Sequence, residues 1–96
     1  MKESDIERKV GEYVKSKGGL FFKFTSPARR AVPDRIIVLP SVPPFFIEFK
    51  ATGETATPAQ RREHVRLSDR GANIFVVDSV EDGQAVVNAM INNYAN

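Results

Sequence analysis

Phe45-Phe46-Ile47-Glu48-Phe49-Lys50 is the stretch on which the reading of this chain turns. Apolar residues open it, and two opposite charges stand two positions apart at its end. Side chains alternate between the faces of a strand, so Phe46, Glu48 and Lys50 share one face while Ile47 and Phe49 take the other. A strand of this buried type seldom carries charges, because charged side chains are rarely buried unpaired. The plain explanation is a same-face ion pair at a frayed strand end. The alternative is a polar site built where the strand stops.

Immediately upstream, Arg35 to Leu39 is apolar and β-branched and reads as a second buried strand. Pro40 to Pro44 is a proline-rich turn, so the two strands form a hairpin. Pro33-Asp34 stands at the start of the earlier strand, where proline is tolerated. The hairpin brings Asp34 across from Glu48. Asp34 taken alone is equally at home as a turn or strand-cap residue.

The rest of the chain fits around this hairpin. Ser4-Asp5-Ile6-Glu7 has the form of a capping box, followed by Ile6, Val10, Tyr13 and Val14 at one-face helical spacing up to Gly18-Gly19. Leu20 to Phe24 is a short aromatic strand. Residues 25–33 read as a loop. Thr57-Pro58-Ala59-Gln60 opens a second helix with Thr as N-cap and Pro at the first helical position, and the helix runs to about Arg70 with Gly71 beyond it. Ile74 to Val77 is a strand, and Val80 to Tyr94 a final amphipathic helix. The order α-β-β-β-α-β-α predicts an α/β fold in which a mixed sheet, antiparallel then parallel through a βαβ crossover, carries helices on its faces.

Length and composition narrow the chemistry. Ninety-six residues, 42% hydrophobic and 27% charged, suit one small folded domain spanning 1–96. Such a domain has an expected radius of gyration of about 12–13 Å. The absence of cysteine and the single histidine exclude a disulfide scaffold, a Cys-ligated zinc module and a thiol nucleophile. No apolar run approaches a membrane span, and the start MKESDIERK is too polar for a signal peptide, so an intracellular protein is expected. Any catalysis falls to carboxylates, lysines and arginines.

The net charge of +2 is unevenly spread: residues 23–70 carry +4 and residues 71–96 carry −3. Of the nine central bases seven are arginine, the side chain best shaped for phosphate. A phosphate-rich partner is one explanation and a solvated charged surface is the other. Arg29 and Arg30 lie on the loop before Asp34, and Arg61, Arg62 and Arg66 on or beside the second helix. All five are candidates for DNA phosphate contact. Two converging carboxylates without histidine suit a hard divalent cation such as Mg2+. The neighbouring lysine is placed to hold a phosphate oxygen or an attacking water.

Pro33-Asp34, thirteen intervening residues, and Glu48-Phe49-Lys50 together resemble the PD-(D/E)XK nuclease superfamily, whose restriction-endonuclease-like core has the same αβββαβ order. The chain more closely resembles the VRR-NUC family in its short stand-alone form found in phages and prophages. That likeness covers most of the chain and includes an acidic residue in the first helix, Val32-Pro33-Asp34-Arg35-Ile36, Phe46-Ile47-Glu48-Phe49-Lys50, Thr57-Pro58-Ala59-Gln60, Leu67, Gly71 and Val76-Val77-Asp78-Ser79. The family commonly has glycine where Ala31 stands, which bears on loop geometry and substrate fit.

The resemblance implies a metal-dependent deoxyribonuclease using Mg2+ or Mn2+ and no organic cofactor. Asp34, Glu48 and the backbone carbonyl of Phe49 would bind the metal, and Lys50 would place the water. Glu7 would complete the acidic cluster directly or through water, unless the capping box with Ser4 takes its carboxylate. Gln60 would face the site, unless it serves as a cap with Thr57. His64, one helical turn on, reads as a packed or surface histidine. The resemblance further implies a homodimer that resolves branched DNA in the cytoplasm of a bacterial host. Nicking, flap or end-processing activity and a non-catalytic DNA-binding role are the alternatives. The apolar stripe of the last helix is a candidate dimer surface or an intramolecular packing face.

Overall fold

The structure is a computed structural model and describes residues 1–95. Seven elements follow in the expected order: α1 (Glu3–Ser16), β1 (Leu20–Lys23), β2 (Arg35–Val38), β3 (Phe45–Phe49), α2 (Pro58–Ser68), β4 (Ile74–Val77) and α3 (Val80–Tyr94). The four strands make one sheet in the order β1-β2-β3-β4. The two hairpin pairs are antiparallel and β3–β4 is parallel through α2. The radius of gyration is 12.7 Å.

The core lies on one face of the sheet, between it and the α1–α3 pair. Ile6, Val10 and Val14 of α1 meet Ile37, Phe45, Ile47, Phe49 and Val77 from the strands and Val87 of α3, and all are fully buried. Each such side chain contributes about 1.5–3 kcal/mol through removal from water. The apolar stripe of α3 is therefore used inside the fold. A side chain at Gly83 would collide with Val10, so this glycine sets how closely α3 approaches α1.

Ends and caps depart from the expectations in small ways. Lys2, in extended conformation, caps α1 without a side-chain bond. Ser4 lies within the first turn, so the capping box expected of Ser4 and Glu7 does not form and the Glu7 carboxylate is free for other contacts. Helix α2 ends at Ser68 rather than near Arg70, and Gly71 adopts the left-handed conformation (φ 90°) beyond it. There the Ala72 N–H bonds back to the Leu67 carbonyl at 3.1 Å, closing the helix end. Strands β1, β2 and β3 each stop one residue short of the expected end.

The opposite face of the sheet carries only α2, and its contact surface is polar. Gln60, Glu63, His64 and Leu67 form the least exposed stripe of the helix, at i, i+3, i+4 and i+7. Glu63 is its one buried member. This helix lacks the apolar stripe that anchors α1, and its inward side chains meet the polar end of β3.

Candidate active site

Register places the two carboxylates. Arg35 pairs with Ile47 across β2 and β3, so one step further Asp34 stands opposite Glu48. Both belong to the sheet face covered by α2, as alternation requires. Asp34 Oδ2 accepts a hydrogen bond of 2.8 Å from the Phe49 N–H. The Lys50 N–H, one residue on, is turned the other way and donates to the Val77 carbonyl at 2.9 Å. In an extended strand the N–H and C=O of one residue share an edge. The Phe49 carbonyl therefore opens on the Asp34 side, beyond the end of β2.

Glu48 is the buried centre of the group, with 2% of its surface exposed. Burial above all, then hydrogen bonding and repulsion from Asp34, push its carboxyl up to about 8; Lys50 opposes this. Gln60 Nε2 donates to Glu48 Oε2 at 3.2 Å. On the other side His64 Nε2 lies 3.7 Å from Glu48 Oε1. Both of those atoms are buried without a hydrogen-bond partner. Desolvation, and next the charge of Lys50, hold the His64 imidazole below its ordinary value. It therefore faces Glu48 as a neutral ring near pH 7.

Gln60 unites the two roles that its position allows. Its side-chain carbonyl accepts from the Thr57 N–H at 2.9 Å, its backbone N–H donates to Thr57 Oγ1 at 3.1 Å, and its amide nitrogen holds Glu48. The capping box fixes the side chain in the rotamer that reaches the carboxylate.

Lys50 is buried at 9% exposure on the same face as Glu48. Among the described residues its ammonium forms no ion pair within 4.0 Å. Its charge nevertheless acts on Glu48, Glu3 and His64, which places it among them.

The first helix brings two carboxylates to the cleft. Glu3, Glu7 and Asp34 line one cavity together with Arg29 and Arg30. Glu7 Oε2 is held by Arg35 Nε at 2.9 Å, and the Arg35 guanidinium lies over the Phe21 ring, 4.7 Å from its centroid. Glu3 is the helix residue whose charge reaches Glu48. Desolvation, then the charge of Asp34, raise its own carboxyl. Sequence reasoning passed over Glu3, although it lies one helical turn before Glu7 on the same face.

The five arginines separate into two groups. Arg29, Arg30, Arg62 and Arg66 line one concave surface. Arg61 is turned away, donating to the Ala56 carbonyl at 2.6 Å.

Two acids at a hairpin end, a lysine on the same strand face and a glutamine from the crossover helix thus converge at one end of the sheet of this α/β domain. Comparison with known proteins gives the family. The protein "Putative nuclease p44" of Acyrthosiphon pisum secondary endosymbiont phage 1 is 46% identical over 79 residues, which cover 82% of this chain and 85% of that protein. A solved structure named "VRR_NUC domain" superposes with a TM-score of 0.82 at 32% identity, over 90% of this chain and 94% of the other. A second, "VRR_NUC domain protein", shares the fold at 19% identity with a TM-score of 0.78, over 96% of this chain and 89% of the other. No family model matches the chain. The chain belongs to the VRR-NUC family and is a nuclease of that type.

Proposed function

We propose that this protein is a divalent-metal-dependent DNA endonuclease of the PD-(D/E)XK type, with Asp34, Glu48 and the Phe49 carbonyl holding the metal. One observation carries the reading: a buried glutamate beside Asp34, with one oxygen lacking any partner and its carboxyl raised to about 8. Two carboxylates held together, one of them buried, are poised for a hard cation, whose charge removes both the repulsion and the unmet bond. The Phe49 carbonyl, which opens on the Asp34 side, would join the two carboxylates as a donor. Mg2+, or Mn2+ in its place, would supply Lewis-acid polarisation of the phosphate and acidify a bound water.

The chain's own groups do the rest. Gln60 Nε2 fixes the rotamer of Glu48. Lys50 Nζ, with no carboxylate among the described residues within 4.0 Å to bind it, orients the attacking water for in-line displacement. Glu3 and Glu7 border the cleft, and Glu7 reaches the cluster through water while Arg35 holds it.

Branched DNA is the proposed substrate and a homodimer the proposed working form, because two cuts at a junction need two sites. The test is cleavage of four-way junctions, flaps and linear duplex with Mg2+, by the parent and by Glu48→Ala and Lys50→Ala. The expected result is junction cutting by the parent, and DNA binding without cutting by both variants. Degradation of linear DNA with junctions left intact refutes the junction preference. An inactive parent in both Mg2+ and Mn2+ refutes the enzymatic reading and leaves a DNA-binding module.

A further inference from the structure

Glu63 is the one buried residue of α2 (7% exposed), and the metal site makes no use of it. A buried carboxylate is costly unless paired. Here its Oε1 accepts from Arg29 Nη1 at 3.0 Å and lies 3.4 Å from Arg66 Nε. The first contact crosses 34 residues of sequence and ties the loop before Asp34 to the helix that carries Gln60 and His64. Arg30 and Arg62 line the same concave surface, together with Ala59. Among the described residues neither of these two has an acidic partner within 4.0 Å.

Four guanidinium groups around one buried acid leave an excess of positive charge with unused donors. Arg29 and Arg66 keep about half of their side-chain surface in solvent (46% and 51%) while one edge of each is fixed. Arginines held in this way present their remaining N–H groups with less entropy to lose. The surface also shares Arg29 and Arg30 with the cavity lined by Glu3, Glu7 and Asp34. The two depressions therefore adjoin across these two arginines.

We propose that Arg29, Arg30, Arg62 and Arg66 form a seat for a backbone phosphate of DNA next to the cleavage position, and that Glu63 is the residue that positions it. The proposal rests on the nuclease reading, which supplies the ligand class. The groove takes phosphate and sugar edges without reading bases, so it fixes where the strand enters the cleft.

The experiment is binding of fluorescein-labelled duplex DNA in EDTA, followed by anisotropy over a range of salt concentrations. It needs neither metal nor cleavage, so its failure leaves the cleavage assays of Glu48→Ala and Lys50→Ala untouched. Arg62→Ala and Arg66→Ala should each lower the slope of log K against log salt by about one, and weaken binding about eightfold at 0.1 M salt relative to 1 M. Both residues are exposed, so these variants should stay folded. Arg8→Ala, on α1 and paired with Glu12 at 3.1 Å, should leave the slope unchanged. Glu63→Gln separates positioning from net charge. Positioning predicts weaker binding although a negative charge is removed, and a purely electrostatic surface predicts tighter binding. An unchanged slope in the Arg62→Ala, Arg66→Ala double variant overturns the phosphate seat. Equal or tighter binding by Glu63→Gln overturns the role of Glu63.

Discussion

Glu48→Gln should change how stability depends on pH. The Glu48 carboxyl stands at 4.5 in an exposed chain and is pushed up to about 8 here, chiefly by burial and then by Asp34. Below pH 4.5 it is protonated in both folded and unfolded chains, and the stabilisation tied to the protonated form is fully present. That stabilisation is lost as pH rises through about 8. Between these limits the folded chain holds about one more proton, so stability falls by about 1.4 kcal/mol per pH unit. The loss between pH 5 and pH 8 is therefore about 2–4 kcal/mol, a large part of the total for a small domain. His64 acts in the opposite sense. Its lowered value favours the folded state above 6.5, and that contribution is lost as pH falls below it. The interval from pH 7 to pH 8 therefore lies outside the range in which His64 contributes a pH dependence. Urea unfolding in EDTA should show the parent's midpoint dropping by roughly 1–3 M from pH 5 to pH 8. Glu48→Gln should be flatter and more stable than the parent at pH 8. Equal pH dependence in the two proteins between pH 7 and pH 8 refutes the assignment of this proton to Glu48.

Three other outcomes follow from the contacts described. His64→Ala removes the imidazole packed 3.7 Å from Glu48 Oε1, and calorimetric titration with Ca2+ should show metal binding several-fold weaker; unchanged affinity refutes a supporting role for this ring. Gln60→Glu keeps an oxygen for the Thr57 N–H but loses the donor to Glu48, so cleavage should fall at least tenfold while the melting temperature at pH 5 stays near the parent's. Gly83→Ala forces α3 away from Val10 and should cost about 1–3 kcal/mol, read as a fall in melting temperature of several degrees with metal affinity preserved.

Much of this fold could be read along the chain because local signals and burial agree. The alternation of Phe46, Glu48 and Lys50 against Ile47 and Phe49, the Thr57-Pro58 helix start and the Val80–Tyr94 stripe all predict elements that form. The helical spacing of Ile6, Val10 and Val14 likewise marks the packed face of α1. What escaped depends on distance in space. The capping pattern at Ser4 is a local preference, and in the structure the helix begins two residues earlier, at Glu3, without it. The ion pair of Arg35 with Glu7 joins residues 28 apart, and no local pattern announces it. Glu63 looks like one more charge on a basic helix, and only tertiary packing reveals it as buried. Gln60 is the informative case: capping and site contact were legible as rivals, and its two amide atoms satisfy both.

The polar underside of α2 sets a limit on how far this protein can be strengthened without harm. Replacing Gln60, Glu63 and His64 with leucines would give the helix the apolar contact it lacks, and buried polar groups exchanged for packed hydrophobes often raise stability. The same change would strip Glu48 of its support and release Arg29 and Arg66. Selection for heat resistance alone would therefore be drawn toward the residues that the proposed chemistry needs most.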